Sequence, residues 1–246
     1  MPDSHPNGSA STRSSGHRLG DQVDRVAGHV REAIEEAKPH FRGWLHAATA
    51  PLAAAAGIVL VALSPNAMTR TGSAVFAVTA LVLFTVSAIY HRGRWSPRVW
   101  AFLRRFDHAN IFLLIAGTYT PFSLLLLEGR NRVVLLAVVW TGAILGVLFR
   151  VFWAGAPRWL YTPIYMALGW AAVFYVNDFV HGTHPAVLTL MATGGLLYTL
   201  GGLVYGFQWP NPSPRWFGFH EVFHTLTIAA FVTHYVGVSI ATYSLR

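Results

Sequence analysis

The 246-residue chain contains no cysteine. Disulfides and thiolate ligands are therefore excluded, and any metal site must be built from histidine and carboxylate. Charge is also scarce, with Asp, Glu, Lys and Arg making up 11% of residues against about a quarter in soluble domains. Since 54% of the residues are hydrophobic, the solvent for most of the chain must be lipid. Six of the ten carboxylates (Asp3, Asp21, Asp24, Glu32, Glu35, Glu36) precede residue 44, leaving Asp107, Glu128, Asp178 and Glu221 for the rest. No apolar run before residue 44 has the form of a cleaved signal, so the amino terminus is expected to be retained.

Residues 1–20, rich in Ser, Gly, His and Arg, read as a disordered tail. From Asp21 to Lys38, Val23, Val26, Val30 and Ile34 recur among charges, the pattern of an amphipathic helix lying on the membrane surface and ended by Pro39. A solvated linker helix is the alternative. The division expected is a cytoplasmic tail over 1–43 and a transmembrane domain over 44–246.

Apolar stretches long enough to cross a bilayer fall at about 44–64, 71–91, 107–127, 132–152, 159–178, 185–207 and 218–242. They predict an all-α bundle of seven transmembrane helices. Breaks such as Ser64-Pro65-Asn66, Gly155-Ala156-Pro157 and Pro210-Asn211-Pro212-Ser213-Pro214 separate them. Of the 18 lysines and arginines, 14 fall in the tail and alternate loops; Arg70, Arg130, Arg132 and Arg246 fall on the other side. The positive-inside rule then predicts a cytoplasmic amino terminus and an outer carboxyl terminus. Topology accounts for the high pI, and no nucleic-acid partner is needed. Gly142-xxx-Gly146 and Gly202-xxx-Gly206 read as helix-packing positions, and Pro51, Pro121 and Pro163 as bends. No internal repeat is evident.

The seventh stretch opens on His220-Glu221-Val222-Phe223-His224. Two histidines four apart share one helix face, about 6 Å apart along the axis, so both can reach one metal ion. Ionisable side chains in a membrane helix are costly and usually mark a site. Interhelical hydrogen bonding is the competing reading. The second stretch ends in Ser87-Ala88-Ile89-Tyr90-His91, and the third begins near Asp107. The predicted topology thus brings Ser87, His91, Asp107, His220 and His224 to the cytoplasmic leaflet. Ser87 can instead bond back to its own helix, and Asp107 can cap the first turn of the third.

Ser87-Ala88-Ile89-Tyr90-His91-Arg92, Arg105-Phe106-Asp107-His108, Ile115-Ala116-Gly117-Thr118-Tyr119-Thr120-Pro121-Phe122 and Phe219-His220-Glu221-Val222-Phe223-His224 together resemble the bacterial hemolysin III family. That family belongs with the progestin and adipoQ receptors, and the likeness covers roughly residues 40–246. The resemblance implies a zinc ion on His91, His220 and His224, with Asp107 at a zinc-held water and Ser87 beside them. It also implies kinship with metal-dependent hydrolases of lipid amides, including alkaline ceramidases. Two positions depart from the eukaryotic receptors: His108 replaces tyrosine and Glu221 replaces glutamine.

Three neutral imidazoles leave tetrahedral zinc one open position, where water ionises near neutral pH. Asp107 can orient that water or take its proton, and Ser87 can hold a ligand histidine or a substrate carbonyl. A lipid amide or ester can enter from the bilayer, its acyl chain lying in the bundle. His46 is the expected substitute ligand. His108 lies about 100° round the helix from Asp107, and His234 about 15 Å beyond His224 along the axis; His181 and His184 fall in an outer loop. Trp95, Trp100, Trp159 and Tyr161 read as interfacial anchors.

Three other functions compete. In a His-Glu-x-x-His protease, Glu221 would be the general base, but no third ligand follows downstream. A receptor or regulator of membrane lipid state would hold zinc structurally. A cytolysin would need a water-filled pore, for which the spans offer few charges. The expected partners are membrane lipids in the cell membrane.

Overall fold

The computed structural model describes residues 39–153 and 155–245. The amphipathic helix expected from Asp21 to Lys38 lies outside the described residues. The elements are α1 Trp44–Ala62, α2 Ala67–Arg92, α3 Pro97–Leu126, α4 Gly129–Phe152, α5 Arg158–Gly169, a 3₁₀ segment Trp170–Tyr175, α6 Val176–Gly182, α7 Pro185–Phe207 and α8 Phe219–Tyr243. Because α5, the 3₁₀ segment and α6 form one run, Arg158–Gly182, seven helices among the described residues are long and apolar enough to cross a membrane. Helices satisfy their own backbone groups, which the interior of a bilayer demands. The chain is an all-α, multi-pass membrane protein.

Helix starts follow local chemistry. Asn66 Oδ1 accepts from the Thr69 amide and the Asn66 amide donates to Thr69 Oγ1, at 3.0 and 3.1 Å, which fixes the start of α2. At α7, His184 Nδ1 accepts from the Ala186 amide and Pro185 takes the first helical position. At α8 the Gly218 amide donates to Glu221 Oε2 at 2.8 Å.

The third span departs most from expectation. Helix α3 begins at Pro97, a favoured first helical residue, so Asp107 lies almost three turns inside it. The reading of Asp107 as a first-turn cap is therefore wrong. Residues 97–106 continue the helix beyond its most apolar stretch, carrying Arg98, Arg104 and Arg105 as helical side chains. The three prolines also lie within continuous helices, at Pro51, Pro121 and Pro163. The fifth span changes to 3₁₀ geometry after Gly169.

Consecutive helices pack against each other from α1 through α4, and α7 packs along α8. Helix α8 also touches α1, α2 and α3, which closes the bundle. A side chain at Gly146 would strike the Phe112 ring, and one at Gly142 would strike Leu168, so both glycines are helix contacts as expected. Phe76 and Phe84 pack on Phe231, with ring centroids 5.3 and 5.2 Å away. This apolar layer lies beneath the end of the bundle where α1, α3 and α8 begin and α2 ends.

Candidate metal centre and its cavity

His91 sits in the last turn of α2, and His220 and His224 occupy the first two turns of α8. The fold brings the three together. Nε2 of His91 lies 3.2 Å from Nε2 of His220, and one ligand atom from each of the three rings falls within 4.8 Å of the others. The rings are steeply inclined to one another, at 71° for His91 and His220, 64° for His91 and His224, and 61° for His220 and His224. Such a convergence of imidazoles can hold one metal ion.

Asp107 and Ser87 join the same place. Asp107 Oδ2 is 3.8 Å from His91 Nε2, with its side chain 13% exposed. Buried Ser87 is the side-chain hydrogen-bonding neighbour of the Asp107 carboxyl, across from α2 to α3.

The remaining histidines separate by their partners. His46 is buried and stacks on His224, centroids 3.8 Å apart and planes 16° from parallel. It lies outside the group whose ligand atoms converge. His108 Nδ1 donates to the Arg104 carbonyl at 2.7 Å, while its Nε2 faces the Tyr205 hydroxyl at 3.0 Å. Tyr161 continues the chain, its hydroxyl 3.0 Å from that of Tyr205 and its ring beneath the buried Arg150 guanidinium, 4.4 Å away. Its expected role as an interfacial anchor is therefore wrong, because both ring and hydroxyl are used inside the bundle. Trp159, by contrast, is 75% exposed. His234 lies deeper, with Nε2 3.2 Å from the Met191 carbonyl oxygen, too far along α8 to join the three converging histidines.

Glu221 is fully buried. One carboxylate oxygen pairs with Arg42 Nε at 2.5 Å and the other accepts from the Gly218 amide. Both oxygens being engaged, Glu221 caps and anchors α8, and the general base of the protease reading is lost. Arg42 carries no signal of this pairing in the sequence, where its charge counts only towards the topology.

A cavity of about 450 Å³ runs from this centre into the bundle. Its polar head includes Ser87, Asp107, His220 and His224; its walls include Leu83, Ile111, Leu114, Phe122, Leu188 and Met191. Half-exposed Trp170, Val173 and Leu196 also line it, so it reaches the outer surface of the bundle between the fifth span and α7.

The sequence pattern of the family described as Haemolysin-III related matches residues 34–235. Hemolysin-3 of Bacillus cereus is 30% identical over 188 residues, covering 75% of this chain and 83% of that one. The Hemolysin-3 homolog of Bacillus subtilis (strain 168) is 34% identical over 131 residues, 53% of this chain and 61% of that one. The Adiponectin receptor protein of Drosophila melanogaster is 29% identical over 187 residues, 67% of this chain. The chain thus spans about three-fifths of the second relative's length and 41% of the third's. The family match runs from before Arg42 to beyond His224 and so takes in every residue of the centre: the chain belongs to the Haemolysin-III related family.

Proposed function

We propose that this protein is a zinc-dependent hydrolase of a lipid amide or ester bond in the cell membrane. The observation that carries the reading is the convergence of three imidazoles at the head of a cavity whose remaining walls are mainly apolar. A long acyl chain fits such walls, and its carbonyl then lies at the polar end. The distribution of the 18 cations supports a cytoplasmic amino terminus, with the centre on the cytoplasmic side.

Zinc suits the donor set. A chain without cysteine offers imidazole and carboxylate, and three imidazoles leave a tetrahedral ion one open position. Zn–N bonds of about 2.0–2.1 Å separate ligand nitrogens by roughly 3.3 Å in a tetrahedron, close to the 3.2 Å between His91 and His220. Zinc held there supplies Lewis acidity towards a carbonyl oxygen and towards water.

The chain's own groups do the rest. The Asp107 carboxylate holds a water at the centre and takes its proton as the water attacks the carbonyl carbon. It returns that proton to the leaving amine or alcohol as the C–N or C–O bond breaks, which leaves the fatty acid. The Ser87 hydroxyl orients that carboxylate, and the surrounding apolar side chains exclude bulk water. His91, His220 and His224 remain neutral ligands, buried or nearly so.

Asp107→Asn tests this directly. The variant keeps the three imidazoles, so it is expected to retain zinc while its turnover of a long-chain N-acyl amide or ester falls about 100-fold or more. A variant that retains both zinc and full cellular activity, with no turnover in the wild type, favours a second reading. In that reading the protein is a receptor or regulator of membrane lipid state with structural zinc. The alignment with an adiponectin receptor protein supports it.

A further inference from the structure

Residues 39–43 cross the end of the bundle between the last turn of α2 and the first turn of α8. His40 is joined to the segment before α8 twice, its amide donating to the Arg215 carbonyl at 2.9 Å and its Nδ1 lying 2.7 Å from the same oxygen. Its ring stacks on Trp216 at 4.3 Å, and the Phe41 amide donates to the Trp216 carbonyl. Arg42 then reaches Glu221 Oε1, 2.5 Å away, in a pair whose acid is fully buried. Gly43 follows with φ +81°, and a Cβ there would come within 2.7 Å of His91 Cβ. Only glycine allows both the left-handed backbone and that approach. One five-residue strap therefore touches all three structural parts of the centre's end: the His91 backbone turn, the loop before α8, and the residue between His220 and Val222.

We propose that Arg42 is a positioning residue for the three-histidine centre. Its ion pair with Glu221 holds the strap across the aqueous end of the site and seats the first turn of α8. The pair thereby sets how fast metal and water-soluble reagents reach the histidines. The physical basis is that Glu221 is held twice, by Arg42 from the strap and by the Gly218 amide from its own helix start. Removing the guanidinium leaves a buried carboxylate with one partner, and that carboxylate is stabilised by moving towards water. The movement carries α8's first turn, with His220, away from His91.

In its metal aspect the inference rests on the zinc reading above, so two measurements separate them. Full-length protein in lipid nanodiscs, loaded with zinc, is mixed with a chromogenic chelator, and the release rate is read by absorbance. Arg42→Gln and Glu221→Gln are each expected to release zinc about tenfold faster or more. The double variant should be no faster than either single one, since both remove the same pair. Arg42→Lys should stay within about twofold of wild type, because it keeps the charge. Release at the wild-type rate in Arg42→Gln, or additive effects in the double variant, overturns the proposal.

The second measurement needs no metal. The chain has no cysteine, so His91→Cys gives a single thiol at the centre. Alkylation of that thiol by a membrane-impermeant maleimide should be about tenfold faster when Arg42→Gln is added. Equal rates overturn the strap whatever the zinc content. Faster alkylation in the variant, together with wild-type protein that binds no zinc, overturns the metal reading and leaves the strap standing.

Discussion

His46 and His224 stack ring on ring, 3.8 Å between centroids and 16° from parallel, although they come from the first and last spans of the bundle. The contact makes His46 a packing support for His224, where the spacing of polar residues had left it as a substitute ligand. Its ring faces that of His224 and its Phe84 contact is edge-on, at 5.1 Å. His46→Phe should therefore retain the stack and zinc affinity, while His46→Ala should weaken affinity about 10–100-fold without changing stoichiometry. Competition against a chelator of known affinity measures both. Equal loss in the two variants would show that the imidazole nitrogens, rather than the ring face, matter.

The Tyr161, Tyr205 and His108 side chains form a directional chain. His108 Nδ1 donates to the Arg104 carbonyl, so its Nε2 accepts, and the Tyr205 hydroxyl is the donor. Tyr161 then donates to Tyr205. Tyr205→Phe leaves a buried acceptor unpaired and should destabilise the protein by about 1–3 kcal/mol. Tyr161→Phe should cost less, because Tyr205 still donates to His108. Thermal unfolding of the three proteins in one detergent orders them, and the double variant should resemble Tyr205→Phe.

Gly146 packs beneath the Phe112 ring. Gly146→Val has no space for its methyl groups unless α3 and α4 separate, which should cost about 1–3 kcal/mol. A lower midpoint of thermal unfolding, with zinc stoichiometry unchanged in the folded fraction, is the expected result.

The surface opening of the cavity gives a test of substrate entry. Gly195 lines the cavity on α7, and a side chain added there meets open space, so Gly195→Trp should fold and narrow the opening. For a long-chain lipid amide kcat/KM should fall about tenfold, equivalent to about 1.4 kcal/mol, with zinc content unaffected. A short-chain analogue, which needs less of the cavity, should lose less.

The seven spans were legible because membrane helices announce themselves locally, through apolar length and the breaks between runs. His91, His220, His224 and Asp107 were legible for a related reason, since polar side chains are rare in such segments and alternate spans bring them to one end. The start of α3 was not, because Arg98, Arg104 and Arg105 mask a helix that begins at Pro97 and extends beyond its apolar part. Tyr161 was misplaced because an aromatic near a span end has the same local pattern whether it faces lipid or the buried Arg150. The Arg42–Glu221 pair joins residues 179 positions apart, and only the closed bundle shows that a charge before the first span completes the last. Glu221 thereby lost its resemblance to a catalytic base and became the anchor of the helix that carries two of the three histidines.

The proposed hydrolysis stands or falls on one zinc held by three histidines from two helices. Metal analysis of protein purified without chelators tests it most directly, comparing wild type with the His220→Ala/His224→Ala double variant. About one zinc per wild-type chain, absent from the double variant while α-helical content is retained, is the predicted result. Wild-type protein without stoichiometric metal, or a double variant that keeps it, would contradict the account.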